Sequence, residues 1–402
     1  MKTVITVFEQ VDDLLSVVGT LFLISQTGWQ IHCYFAVDSP FSIANIQEEL
    51  GAQVHFFCIE KGNLETVVIN LQPDLIITHP DHSHIRNQES ISIAVTKLAL
   101  QHKIALWYAS PQAFLRNFEP NFFVDINAAI QQKISTAQTF LNLDTVLVLA
   151  RFWARELGYG GGYFEAFYLA RHAIEPSYFA NQLNQLNPLV VSIHAHGDDE
   201  VLPCAGTLFL MSQVGWRVHC VVLTDGNHSS SPIKGLRQQE AIAAGKLIGA
   251  TYEFHSLEEC AFTAQEVIKL TERVIAQHQP SLIITHAPQS EKYGHRDHEV
   301  CAVGVSNVAI RKQITLWYSA PPVFMRGFLP NLFVDISSVI QTKIAAIQCY
   351  ESETNKSFMK LESIINLSRF WAREVGHFEG GYFEAFQIDR QCVAQDFFKT
   401  AI

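Results

Sequence analysis

Short runs in which nearly every position is apolar recur along this chain. They are separated by longer stretches in which apolar positions fall every three or four residues. In the second half, Leu189–Ile193, Val218–Leu223, Leu282–Thr285 and Ile314–Tyr318 are of the first kind. They are too short for helices and uniformly apolar, which predicts strands buried on both faces. Ala205–Ser212, Leu236–Ile248, Ala264–Gln277 and Glu299–Ile310 carry the helical spacing. This alternation predicts an α/β architecture, a mostly parallel sheet flanked by helices. In such sheets ligands bind beyond the C-terminal ends of the strands, so chemistry is expected just after the apolar runs.

The same pattern occurs twice. Gly19-Thr20-Leu21-Phe22-Leu23 returns as Gly206-Thr207-Leu208-Phe209-Leu210, Leu75 to His79 as Leu282 to His286, and Leu106-Trp107-Tyr108 as Leu316-Trp317-Tyr318. Phe123-Val124-Asp125-Ile126 returns as Phe333-Val334-Asp335-Ile336, and Arg151 to Glu156 as Arg369 to Glu374. Matches in one order along both halves indicate a tandem repeat. The expected organisation is a first domain over 1–175, a linker over 176–187, within the Asn- and Gln-rich connector Arg171–Asn187, and a second domain over 188–402, the halves forming an intramolecular pseudo-dimer.

Composition narrows the class. The 402 residues are 48% hydrophobic and 17% charged, with net charge -11. That acidity argues against nucleic acid and anionic membrane surfaces, both of which call for a basic face. No stretch reaches the ~18 apolar residues of a membrane helix, and Glu9 and Asp12 interrupt the apolar start before it resembles an export signal. The eight cysteines form no C-x-x-C pair, so they read as reduced thiols of a cytoplasmic protein.

The chemistry concentrates where the fold predicts it. Leu189–Ile193 runs into His194-Ala195-His196-Gly197-Asp198-Asp199-Glu200, and Leu282–Thr285 is followed by Tyr293-Gly294-His295-Arg296-Asp297-His298-Glu299. Imidazoles and carboxylates at two strand ends suit zinc, whose catalytic sites take three protein ligands and an open position. Counting from Gly19/Gly206, His196 faces Glu9, Asp198 faces Val11 and Asp199 faces Asp12. Counting from Trp107/Trp317, His295, Asp297 and His298 face Ile85, Asn87 and Gln88. The halves share apolar, glycine and aromatic positions, whereas the metal-type residues are largely confined to the second. Trp371, Arg373, Glu374, Tyr382 and Glu384, which recur as Trp153, Arg155, Glu156, Tyr163 and Glu165, are therefore assigned to packing and structural ion pairing. His286, recurring as His79, is expected to be structural.

Ala195-His196-Gly197-Asp198-Asp199-Glu200, Arg237 to Glu240, and Gly294-His295-Arg296-Asp297-His298 resemble, in this order, the motifs of the PIG-L (LmbE-like) family of zinc-dependent N-deacetylases. Gly197 and Arg296 stand where the family carries proline. The resemblance covers about Pro188 to Phe386 and, more weakly, the first half as a degenerate copy. It implies two tandem Rossmann-like domains, the second catalytic. It also implies one Zn2+ per chain held by His196, Asp199 and His298. Asp198 would be general base for the zinc-bound water, with His295 stabilising the tetrahedral intermediate or protonating the leaving amine, and Asp297 orienting His295. The implied substrate is an N-acylated amino sugar or glycoconjugate, for which Arg237 is a substrate-binding candidate.

Two other readings stay open at this level. His194-Ala195-His196-Gly197-Asp198 also fits the opening of a two-metal metallo-β-lactamase-like site, which would use His194. Alternatively, the chain is a carbohydrate-binding protein without catalysis.

Overall fold

The computed structural model describes residues 2–36, 47–48, 50–56, 63–80, 86–111, 118–139, 143–174, 176–181, 188–226, 235–288, 295–323, 328–377 and 380–393. The chain divides into two compact units. Unit 1 comprises Met1–His172 with Gln391–Ile402, and unit 2 comprises Ala173–Arg390.

Unit 1 contains β1 (Thr3–Phe8), β2 (Gln30–Phe35), β3 (Gln53–Phe56), β4 (Leu75–Thr78), β5 (Ala105–Ala109), β6 (Phe122–Asp125) and β7 (Phe164–Ile174). Strands β3-β2-β1-β4-β5 are parallel, and β7 runs antiparallel to β5 and to β6. Arg171–Ile174, expected in the connector, is the end of β7, and Ser177–Asn181 within the expected linker is helical.

Unit 2 contains β8 (Leu189–His194), β9 (Arg217–Val222), β10 (Ala250–Phe254), β11 (Leu282–His286), β12 (Thr315–Ser319), β13 (Leu332–Asp335) and β14 (Phe383–Val393). Strands β10-β9-β8-β11-β12 are parallel, and β14 is antiparallel to β12 and β13. Strand β8 lies between β9 and β11, so the chain leaves it in opposite directions and opens a crevice at its C-terminal end. The four expected strands of this half all form, and their flanking helices run Val201–Gln213, Leu236–Ile248, Ala264–His278 and Arg296–Arg311. Strand β10 was not expected: Ala250–Phe254 alternates polar and apolar residues, the pattern of a half-covered strand rather than a buried one.

The recurring G-T-L-F-L segment has a packing cause. A Cβ on Gly206 would come 2.7 Å from Ile336 Cγ2, and one on Gly19 would come 2.9 Å from Ile126 Cγ2. Only glycine lets the helix lie this close to the residue after β13 or β6. The same two helices are fastened by a buried carboxylate. Glu384 accepts from the backbone N–H of Gly206 (2.9 Å) and Thr207 (2.7 Å), and Lys343 Nζ lies 2.6 Å from it. Glu165 does the same for Gly19, Thr20 and Lys133 in unit 1. The assignment of Glu384 and Glu165 to ion pairing holds in this geometry.

Because both charges are buried, removing one strands the other in a low-dielectric interior. Lys343→Met should lower the unfolding free energy by about 3–5 kcal/mol, the range for breaking a buried pair from one side. Chemical denaturation measures this directly. A loss below about 1 kcal/mol would mean that the two helix N–H groups alone satisfy Glu384.

Candidate metal centre

Strand β8 is buried along its whole length, and it delivers the loop 195–200 into the crevice. Neighbouring side chains fix that loop by its backbone. Ala195 N–H donates to His286 Nε2 at 3.1 Å, Thr224 Oγ1 donates to Ala195 O at 3.0 Å, and Thr285 Oγ1 donates to Ile193 O at 2.7 Å. The loop then turns on Asp199, whose Oδ2 accepts from His196 N at 2.9 Å.

Around that one oxygen the imidazoles converge. His196 Nδ1 lies 3.0 Å from Asp199 Oδ2, His298 Nε2 lies 3.2 Å from it, and the two nitrogens are 3.3 Å apart. An ion bound at about 2.0–2.1 Å with tetrahedral angles sets its ligand atoms about 3.3–3.4 Å apart. The triangle matches that spacing, and its nitrogen, nitrogen and oxygen donors are the set zinc takes. Burial alone would raise the Asp199 carboxyl, but His298, His196 and His286 outweigh it and hold Asp199 well below the usual carboxylate range. Burial would likewise lower His196, yet the Asp199 and Asp297 carboxylates push it up to about 10. The field at this point strongly favours a cation.

The other ring nitrogen of His196 has its own partner. Asp297 Oδ2 is 3.3 Å from His196 Nε2 and also accepts from Cys260 N at 2.8 Å. A carboxylate on the far nitrogen of a ligating histidine fixes ring and tautomer. Asp297 lies 3.8 Å from His295 Nδ1, so it faces both imidazoles and approaches His196 more closely. His295 caps the helix Arg296–Arg311: its Nδ1 accepts from Asp297 N at 3.2 Å. The neutral His295 ring therefore carries its proton on Nε2. Its side chain is 44% exposed, which leaves it open to a ligand, and burial followed by the charges of His196 and His298 lowers its pKa.

Asp198 is buried beside Arg237, whose Nη2 is 3.5 Å from Asp198 Oδ1 and 3.3 Å from Glu353 Oε1. Burial, then the charge of Asp199, raises Asp198, while Arg237 and Lys356 oppose that. Arg237 is itself buried, and Glu240 bonds instead to Ser352 N (2.8 Å) and Ser352 Oγ (2.6 Å). An exposed Arg237–Glu240 surface pair is thus not what the helix Leu236–Ile248 presents. Gly226 exists for this arginine: a Cβ there would sit 2.8 Å from Arg237 Cβ, and its φ is +70°. Glu200, to which the sequence reading gave no role, accepts from Tyr252 OH (2.7 Å) and Tyr350 OH (2.8 Å), and burial pushes it up to about 8.

His194 does not join the cluster. It is fully buried, with Nδ1 3.0 Å from Ser192 Oγ and Nε2 3.2 Å from Ser319 Oγ. His286 lies closer than its structural assignment suggested: it stacks on His298 with centroids 4.1 Å apart and sits 3.4 Å from Asp199 Oδ2.

Unit 1 corrects the residue matching. Strand registers pair Val4 with Leu75 and Val190 with Leu282, which shifts the first loop by one position. In unit 1, Asp13 Oδ2 accepts from Gln10 N (2.9 Å) and lies 3.2 Å from His79 Nε2, repeating Asp199 with His196 N and His286. Asp13 therefore matches Asp199, Asp12 matches Asp198, and Gln10 stands where His196 does; Glu9 and Val11 do not face the site residues as expected. Gly19 follows Asp13 by six positions but Gly206 follows Asp199 by seven, so counting back from the glycines misaligns the loop. His82, His84, Ile85, Tyr293 and Gly294, and the side chains of Asn87 and Gln88, lie outside the described residues.

Residues 191–309 match the family model PIG-L, described as GlcNAc-PI de-N-acetylase. The match spans both motif loops. Among characterised relatives, 4-oxalmesaconate hydratase of Pseudomonas putida is 28% identical over 193 residues, covering 41% of this chain and 73% of that protein. Diacetylchitobiose deacetylase of Thermococcus kodakarensis is 24% identical over 213 residues, covering 47% of this chain and 79% of the relative. A solved N,N'-diacetylchitobiose deacetylase from Pyrococcus horikoshii is 19% identical and covers 52% of this chain and 88% of its own, with a TM-score of 0.43. Among the described residues no helix is long and apolar enough to cross a membrane.

The far-side contact makes Asp297 testable by metal affinity. Asp297→Asn should weaken the metal that His298→Ala abolishes by about 10–100-fold, the usual effect of losing such a partner, in a chelator-competition titration. Unchanged affinity would mean that Asp297 does not hold His196.

Proposed function

We propose that unit 2 is a zinc-dependent amide hydrolase, an N-deacetylase of an N-acylated amino sugar or glycoconjugate. The observation that carries this is the triangle of His196 Nδ1, Asp199 Oδ2 and His298 Nε2 with edges of 3.0–3.3 Å at the sheet's switch point. These three residues would hold the zinc, which when bound lowers the pKa of water and polarises a carbonyl. The deacetylases among the relatives support the reaction class.

The chain's own groups then divide the proton work. Asp198, adjacent to a ligand, accepts the proton of the attacking water, and burial keeps it basic enough for that task. Arg237, placed by the sequence reading at the substrate, acts in this scheme as a positioning residue that aims Asp198, since its Nη2 engages that carboxylate from within the core. His295 gives its Nε2 proton to the departing amine nitrogen, which would otherwise leave as an unstable anion. Asp297 holds His196 in register and lies within reach of His295. Unit 1 is a non-catalytic copy of the same fold: it keeps Asp12, Asp13 and His79 but has Gln10 in place of a metal-binding imidazole, and a neutral amide is a weak zinc ligand.

A hydratase reading is favoured by one observation, the hydratase among the relatives. Both reactions begin with activated water, so the substrate separates them: free amine released from N-acetylated sugars, against water added to 4-oxalmesaconate, an unsaturated tricarboxylate.

Asp198→Asn should retain its metal and lose roughly 10²–10⁴-fold in turnover, the usual contribution of an acid–base group, in an amine-release assay. His295→Ala should lower kcat more than it raises KM. Loss of metal from Asp198→Asn would make Asp198 a ligand, and an effect of His295→Ala on KM alone would restrict His295 to substrate binding.

A further inference from the structure

Unit 2 carries a second cluster of imidazoles, at the β10 edge of its sheet. Strand β10 pairs only with β9 among the described strands, and Thr251 and Glu253 share one of its faces because side chains alternate along a strand, with His255 just past its end. His219 on β9 stands beside Thr251 in the register. The helix Ala264–His278 ends here, with His278 as its last residue.

The side chains converge on one carboxylate. His219 Nε2 lies 3.4 Å and His278 Nε2 lies 3.3 Å from Glu253 Oε2, and the two rings are 4.3 Å apart between centroids. His255 Nε2 lies 2.8 Å from Glu253 Oε1, the other oxygen of the same carboxylate. Thr251 Oγ1 lies 2.8 Å from His219 Nδ1 and 3.3 Å from Val218 O, which holds the ring with Nε2 toward Glu253. His219, Glu253 and His278 each present one ligand atom, and these atoms all lie within 4.8 Å of one another, two imidazoles and a carboxylate being a donor set that a divalent ion takes. The C-terminal end of the helix adds partial negative charge at the same place.

We propose that His219, Glu253 and His278 form a second metal site for zinc or a similar imidazole-preferring divalent ion. The oxygen–nitrogen spacings of 3.3 and 3.4 Å are those of a tetrahedral ligand set, and the residues are only partly exposed, so an ion reaches them without unfolding the edge. The site ties β9, β10 and the helix end together. It is independent of the hydrolase reading and raises the metal count above the single ion that the sequence implied. Among the described residues of unit 1 no such cluster forms: the matching strand positions hold His32 and His55, and Leu71 precedes the left-handed Gln72 as His278 precedes the left-handed Gln279.

Chelator-stripped full-length protein titrated with zinc, followed by dialysis and elemental analysis, tests this. Wild type should retain two equivalents with micromolar or tighter affinity. His278→Leu, which installs the residue unit 1 carries, and Glu253→Gln should each retain one and keep amine release. His298→Ala should also retain one, and zinc should raise its Tm by about 5–10 °C at a hundredfold excess over Kd; that rise should vanish in His298→Ala/His278→Leu. A single wild-type equivalent lost on His278→Leu would support this site and count against the hydrolase centre. Wild type with one equivalent that survives His278→Leu, two that survive both His278→Leu and Glu253→Gln, or only millimolar binding at the second site would overturn the proposal.

Discussion

The site in unit 2 depends on the placement of one oxygen. Asp199 Oδ2 lies within 3.4 Å of a backbone N–H and three imidazoles that come from β11, the end of β8 and the helix Arg296–Arg311. A buried carboxylate is costly unless its charge is answered, and here the answer comes from groups that could themselves ligate a cation. The loop conformation and the donor triangle are thus one feature: His196 N–H bends the loop onto Asp199, and the same bend brings His196 Nδ1 beside it. His286 and Asp297 support this from opposite sides, the first by accepting Ala195 N–H and stacking on His298, the second by holding the far nitrogen of His196.

Unit 1 shows that the frame and the chemistry are separable. The glycine-to-isoleucine approach, the buried Glu–Lys pair and the histidine-to-loop contact occur in both units. Asp13 still turns the loop in unit 1, yet the residue it bends back is Gln10, which cannot become an anchored imidazole. The aspartates are consequently part of the loop's folding, and the histidines are what unit 2 adds to it.

Much of this was legible in the sequence for physical reasons. Strands β8, β9, β11 and β12 are covered on both faces and must be continuously apolar, so they stand out, and the two motif loops follow the strand ends where α/β sheets bind ligands. Strand β10, half-covered, lacks that signature, and with it went the His219–Glu253–His278 cluster, whose members are scattered over sixty residues with no motif. Glu353 and Tyr350 were illegible for a similar reason: they reach Arg237 and Glu200 from the segment after the helix Ile340–Gln348, and only tertiary packing brings them there. The one-residue mismatch between loops 10–13 and 196–199 arose because glycines on the helix were used to count back across a turn of different length; the strand registers, set by hydrogen bonding, do not slip in that way.

The central claim is that His196, Asp199 and His298 form the ligand set of a metal ion. A crystal structure of the zinc-loaded protein with anomalous diffraction recorded across the zinc edge tests it most directly. The account predicts a peak within about 2.3 Å of His196 Nδ1, Asp199 Oδ2 and His298 Nε2, with His194 still bound to its serines. A fully loaded crystal with no peak in this crevice, or with a peak coordinated through His194, would contradict it.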